Sequence, residues 1–185
     1  LITTNNIFVN QKNLLNHVNS LNKIDLSLRN RNPKNKKEEI AQNIIFHVDQ
    51  WCNNYEDKII NLGGLGFFLG GIGPDGHIAF NIAGSDHNST TRLLKPNYQT
   101  MAASSIDLGG IEVVKNLNVI TIGLKTITRD ANIRAIIMAC GDAKSDIIHD
   151  TFVSKVSINY PVTALRTLKK HQLIVTRSAA SKLPN

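Results

Sequence analysis

Leu65-Gly-Phe-Phe-Leu-Gly-Gly71 runs directly into Ile72-Gly-Pro-Asp75-Gly-His77-Ile-Ala-Phe-Asn81. The first half is a short, unbroken apolar run bounded by glycine. That pattern predicts a strand over about Phe67 to Gly71, buried on both faces as in the middle of a parallel sheet. The second half is a loop in which Gly73 and Gly76, with Gly71 just ahead of them, surround a carboxylate and an imidazole two residues apart. Glycines let a backbone approach a ligand closely. Asp75 and His77 are then expected to face one crevice as a pair able to move protons. The residues alone leave a plainer reading open, a glycine-rich turn whose aspartate caps amides and whose histidine packs quietly. Gly71-x-Gly73-x-x-Gly76 also matches the dinucleotide fingerprint formally. Pro74 interrupts it, and no acidic residue stands about twenty positions on to hold a ribose, so that reading is rejected.

Upstream, Ile40, Ile44, Val48, Trp51, Tyr55 and Ile59 recur at helical spacing, with Glu38 and Glu39 placed for the first turn. Gly63-Gly64 should stop this helix. Leu14, Val18 and Leu21 suggest a shorter helix before Pro33, and Ile24-Asp25-Leu-Ser-Leu comes nearest to an early strand. Downstream, Asn118 to Gly123, Ala135 to Cys140 and Gln172 to Thr176 read as strands. Asp142 to Val153 and Tyr160 to Leu168 read as helices, and Asn81 to Pro96 as irregular chain. Alternating strands and helices imply an α/β fold, a parallel sheet with helices on both faces in a Rossmann-like arrangement. Such sheets hold ligands beyond the carboxyl ends of their strands.

Composition narrows the classes. The chain has 185 residues, 42% apolar and 19% charged, which suits a single globular domain over 1–185. No apolar stretch approaches a membrane span, and the first residues lack the pattern of a signal peptide. The net charge of +7 suits an anionic small molecule. The one basic cluster, Arg29 to Lys37, has no aromatic residue to stack on bases and reads as a solvated loop, so no nucleic-acid partner is expected. Cys52 and Cys140 read as buried free thiols of a reducing, cytoplasmic setting. The six histidines show no metal-ligand spacing, and no metal or cofactor is expected.

The wording of the loop, Phe-Leu-Gly-Gly-Ile-Gly-Pro-Asp-Gly-His-Ile-Ala-Phe-Asn, resembles the active-site segment of the glucosamine-6-phosphate deaminase/isomerase family. The match continues through Gly84-Ser85, Thr91-Arg92, Ile120 to Gly123, Gly141-x-x-Lys144 and Thr163-Ala-Leu165, covering roughly residues 40 to 178. The related 6-phosphogluconolactonases share the Gly-x-Asp-Gly-His core but usually continue differently. The resemblance implies that His77 serves in opening a sugar ring with Asp75 in support, and that Gly71, Gly73 and Gly76 line the substrate. It implies that Lys144, early in its helix where the N-terminus adds positive charge, grips the substrate phosphate. Ser85 and Arg92 fall in a segment that binds a sugar-phosphate effector in some members; on residue chemistry alone, Arg92 would pair with a carboxylate.

The chain also departs from the family pattern. Ile82 replaces a glutamate that orients the histidine, and an arginine expected close to Ser105 or Ile106 is absent. Nothing before residue 40 matches the family's opening strand, phosphate loop and Asp-Glu-Tyr segment, so 1–185 reads as part of a longer family domain. An enzyme of this family would turn glucosamine 6-phosphate into fructose 6-phosphate and ammonia without a cofactor, possible homo-oligomers included. Two alternatives are a sugar-phosphate-binding or regulatory module without turnover, and a lactone hydrolase that needs only the histidine. If His77 lacks its carboxylate partner, turnover should be poor and Ile82→Glu should raise it about tenfold to a thousandfold.

Overall fold

The computed structural model describes residues 24–106, 109–114 and 117–184. The helix suggested by Leu14, Val18 and Leu21 lies outside the described residues. Helix α1 runs Lys36–Asn61, where the apolar spacing places it. Asn35 caps it by accepting a bond from the Glu38 amide, and Glu38 and Glu39 occupy its positive first turn. It ends as a glycine-terminated helix should: Gly63 adopts φ 89°, and the Gly63 and Gly64 amides return to the Ile60 and Ile59 carbonyls at 2.9 and 2.8 Å. Ile44, Val48 and Cys52 form its buried face, packed with Leu93 and Ile120.

Three strands form a parallel sheet in the order β1-β4-β5, with β1 at Phe67–Gly71, β4 at Arg134–Ala139 and β5 at Lys170–Val175. Leu69 lies opposite Ile136 and, across β4, Ile136 lies opposite Gln172. Ala135, Ile137 and Ala139 of β4 point into the main core. There they meet Leu124 and Ile127 of α4 (Leu124–Thr128) and Ile147 and Ile148 of α5 (Ser145–Val153). Helices α2 (Tyr98–Ser104) and α3 (Ile111–Val114) complete the α-helical elements among the described residues.

Several expectations are corrected. β1 is not buried on both faces: Phe67 and Leu69 are 53% and 52% exposed, and Met138 and Ile174 on the same face are similarly open. β1 is the end strand of the described sheet rather than its middle, because β4 takes the centre. The strand at Val119–Thr121 (β3) is outside this sheet and pairs antiparallel with a short strand at Arg92–Leu94 (β2), inside the stretch read as irregular. The helix read at Tyr160 to Leu168 is present as a 3₁₀ helix at Pro161–Thr167. Ile24 to Leu28 is no strand; Asp25 caps a 3₁₀ turn at Leu26–Arg29. The basic cluster is solvated at Lys34, Lys36 and Lys37, but its arginines are tied down, with Arg29 forked on Asp49 and Arg31 bridging Glu38 and Asp25. Both cysteines are free, but only Cys52 is buried; Cys140 is exposed. Burial pushes the Cys52 thiol up to about 12. No helix among the described residues is long and apolar enough to cross a membrane.

Glu56 of α1 is 6% exposed and joins three parts of the chain. Its Oε1 accepts bonds from the Thr91 amide at 2.9 Å, the Thr91 hydroxyl at 2.5 Å and the Thr126 hydroxyl at 2.6 Å. Arg129 donates to Oε2 at 2.9 Å. Burial raises its affinity for a proton, yet the Thr126 and Thr91 bonds and the Arg129 charge outweigh this, and its pKa is lowered.

Candidate active site

β1 stops at Gly71, and the next residues fold into a closed loop. The Gly73 amide donates to the His77 carbonyl at 2.9 Å and the Gly76 amide to the Gly73 carbonyl at 3.1 Å. Gly73 is required sterically: a Cβ there would stand 1.9 to 2.2 Å from the His77 ring, so the imidazole lies flat against its backbone. Gly76 adopts φ 77°, a left-handed conformation natural to glycine, with the Tyr160 ring beside it. A Cβ at Gly71 would meet only the Met138 carbonyl oxygen, at 3.7 Å, so this glycine is not crowded.

The loop brings Asp75 and His77 into direct contact. Asp75 Oδ1 bonds His77 Nδ1, and the two side chains are 7% and 12% exposed. The His77 backbone amide also donates to Oδ1 at 3.4 Å, in the manner of an Asx turn. Oδ2 accepts from the Ala83 amide at 3.1 Å and from Asn97 Nδ2 at 2.7 Å. Burial alone would raise the Asp75 pKa. The bonds from His77, Ala83 and Asn97 outweigh it, holding the carboxyl well below the usual carboxylate range. A carboxylate on Nδ1 fixes the ring orientation and leaves Nε2 for chemistry. Among the described residues no group bonds Nε2.

This contact corrects the expectation that His77 lacks a carboxylate partner. Ile82 is half-buried, and the residue after it, Ala83, supplies a backbone donor to Asp75. Two residues at the site carried no motif in the sequence. Thr100 is 1% exposed, with its hydroxyl 3.2 Å from His77 Nδ1, and Asn97 holds Asp75. The Asn-Tyr-Gln-Thr spelling, an N-cap residue ahead of a short helix, is the one local signal that could have marked them.

Lys144 is the last residue of a 3₁₀ turn at Asp142–Lys144 and precedes α5, rather than lying within that helix's first turn. Its Nζ donates to the Ile72 carbonyl at 2.8 Å, which brings the ammonium to the start of the Gly73 loop. Two of its three donors remain for another partner. Ser85 and Arg92 do meet, at 3.2 Å, but among the described residues Arg92 forms no salt bridge; the nearby charge of Asp86 is the one that acts on it. Its guanidinium donates to Asn81 Oδ1 at 2.8 Å and to the Thr90 carbonyl at 3.3 Å. Asn81, fully buried, donates in turn to the Ile78 and Ile122 carbonyls and so anchors the end of the loop. A cavity of about 420 Å³ lined by Ile72, Ile137, Val162 and Leu173 touches the loop at Ile72, but neither Asp75 nor His77 lines it. Among the described residues no cluster of side chains could hold a metal ion.

No protein-family model matches the chain. Over 171 residues, 92% of its length, it is 35% identical to a glucosamine-6-phosphate deaminase of Clostridium botulinum, of which it spans 64%. A Fusobacterium nucleatum glucosamine-6-phosphate deaminase is 30% identical over 171 residues, 57% of that protein. A solved monomeric glucosamine-6-phosphate deaminase superimposes with a TM-score of 0.66 at 27% identity, covering 81% of this chain and 57% of that one. The 6-phosphogluconolactonase of Leishmania guyanensis shares the fold alone, with a TM-score of 0.54 at 16% identity over 76% of this chain and 55% of that one. By sequence and by fold, the chain is similar to the glucosamine-6-phosphate deaminases and spans less than two thirds of their length.

Proposed function

We propose that this chain carries the acid–base half of a glucosamine-6-phosphate deaminase site. The observation that carries the reading is the Asp75–His77 contact, with Nδ1 held by a buried carboxylate and Nε2 unbonded among the described residues. In this reading His77 Nε2 moves the proton that opens the sugar ring, and Asp75 keeps the imidazole in its working tautomer. The proton shift from C2 to C1 then gives a C2 imine, and water adds to it and displaces ammonia to leave fructose 6-phosphate. Lys144, already at the mouth of the Gly73 loop, holds the phosphate, and Gly71, Gly73 and Gly76 let the substrate lie close to the backbone. Ser85 and Arg92 form an effector contact rather than a part of the reacting centre. A phosphorylated sugar and two unpaired thiols both suit the cytoplasm.

The test is ammonia release from glucosamine 6-phosphate by the native chain and by His77→Gln. Turnover by the native chain that falls about a hundredfold or more in the variant supports the reading. Saturable binding of the sugar phosphate with no turnover in either supports a binding module instead. Hydrolysis of 6-phosphogluconolactone would point to the lactone reading.

A further inference from the structure

The Asp75–His77 pair is held by a residue outside its own loop. Asn97 uses the two ends of its amide for different tasks. Its Oδ1 accepts the Thr100 amide at 2.8 Å, capping α2, and its Nδ2 donates to Asp75 Oδ2 at 2.7 Å. One turn on, the Thr100 hydroxyl stands 3.2 Å from His77 Nδ1. The first turn of α2 therefore touches both members of the pair, one side chain to each. Asp75 Oδ1 faces His77, so the carboxylate can aim at the imidazole only while Oδ2 is pinned, and Asn97 makes the shorter of the two bonds that pin it.

We propose that Asn97 is a positioning residue of the Asp75–His77 pair, acting through the amide it donates to Asp75 and not through its cap of α2. This inference rests on the functional reading above for the use of the pair, but not for its geometry. The two tasks of the side chain separate cleanly. Serine caps helices about as well as asparagine, yet its hydroxyl is too short to cap α2 and reach Asp75 together. Alanine loses both contacts.

The experiment compares native chain, Asn97→Ser and Asn97→Ala by ¹⁵N NMR of the His77 ring in its neutral form, alongside ammonia release from glucosamine 6-phosphate. With Asp75 accepting from Nδ1, the native ring carries its proton on Nδ1. We expect both variants to shift toward the Nε2–H tautomer to a similar extent, although only Asn97→Ala loses helix stability. Turnover should fall about tenfold in both with KM unchanged, as for loss of an orienting contact to an acid–base group. If Asn97→Ser keeps the native ring signature and only Asn97→Ala changes it, the cap is what matters and the proposal is overturned. An unchanged signature in both variants overturns it as well. Should the native chain release no ammonia, the functional reading fails, while the ring signature still decides the role of Asn97.

Discussion

Glu56 and Asp75 are both buried carboxylates ringed by donors, and both have pKa values lowered against the pull of burial. They differ in the partner each one faces. Glu56 meets Arg129, a forked guanidinium, and two threonines close the ring around it. Asp75 meets the His77 imidazole, whose Nε2 no group among the described residues bonds. The same arrangement of bonds thus makes a permanent joint in one place and leaves a ring nitrogen open in the other. The Glu56 joint ties α1 to the Thr91 segment and to α4, whereas Asp75 binds a loop to itself and to the cap of α2.

If that contrast is right, the two sites respond differently to the same kind of damage. The largest expected effect is on catalysis at the Asp75–His77 pair. Asp75→Asn should cut turnover per folded molecule about a hundredfold to ten-thousandfold, the scale seen when an imidazole loses its orienting carboxylate. A variant that keeps native turnover would remove Asp75 from the site. At the permanent joint the loss should appear in stability. Glu56→Ala leaves Arg129 and two hydroxyls without their partner, and denaturant unfolding should show a loss of about 3 kcal/mol or more. Turnover per folded molecule should be unaffected.

Ile82→Glu sharpens the comparison further. Because Asp75 already holds Nδ1, we expect turnover to change by less than about tenfold, far below the gain the family pattern suggested. A large gain in ammonia release would show that Asp75 orients His77 only weakly. The smallest effect concerns pH. Both carboxylates have folded pKa values below their ordinary values of 3.8 and 4.5, so each contributes stability that is complete above those values. That stability should drain away as the pH falls below them. Unfolding measured between pH 6 and about pH 3 checks this, and the low-pH loss should be smaller in Glu56→Gln, which carries no proton to gain.

The two faces of the sheet show how far a strand's own residues can mislead. Phe67, Phe68 and Leu69 read as a strand covered on both sides, because an unbroken apolar run has that appearance. In the fold Phe68 packs toward the core while Phe67 and Leu69 stand about half exposed. Burial depends on what other elements lie across a face, and the run itself carries no record of that.

What the sequence determined by itself was local. Helical spacing and a double-glycine stop placed α1, apolar runs placed β1, β4 and β5, and the glycine-rich wording marked the loop that brings Asp75 to His77. These features rest on backbone preference and on residues a few positions apart, which a linear pattern records directly. Tertiary structure alone decided the rest. It set β3 against β2 in a separate antiparallel pair, turned Arg92 toward Asn81 and Ser85 instead of a carboxylate, and left Cys140 exposed. It also chose the partners that define the site: Asn97 reaches Asp75 across 22 residues, and Lys144 reaches the Ile72 carbonyl across 72. A buried polar group must find a partner wherever the packed chain supplies one, and that choice is made in space rather than along the sequence.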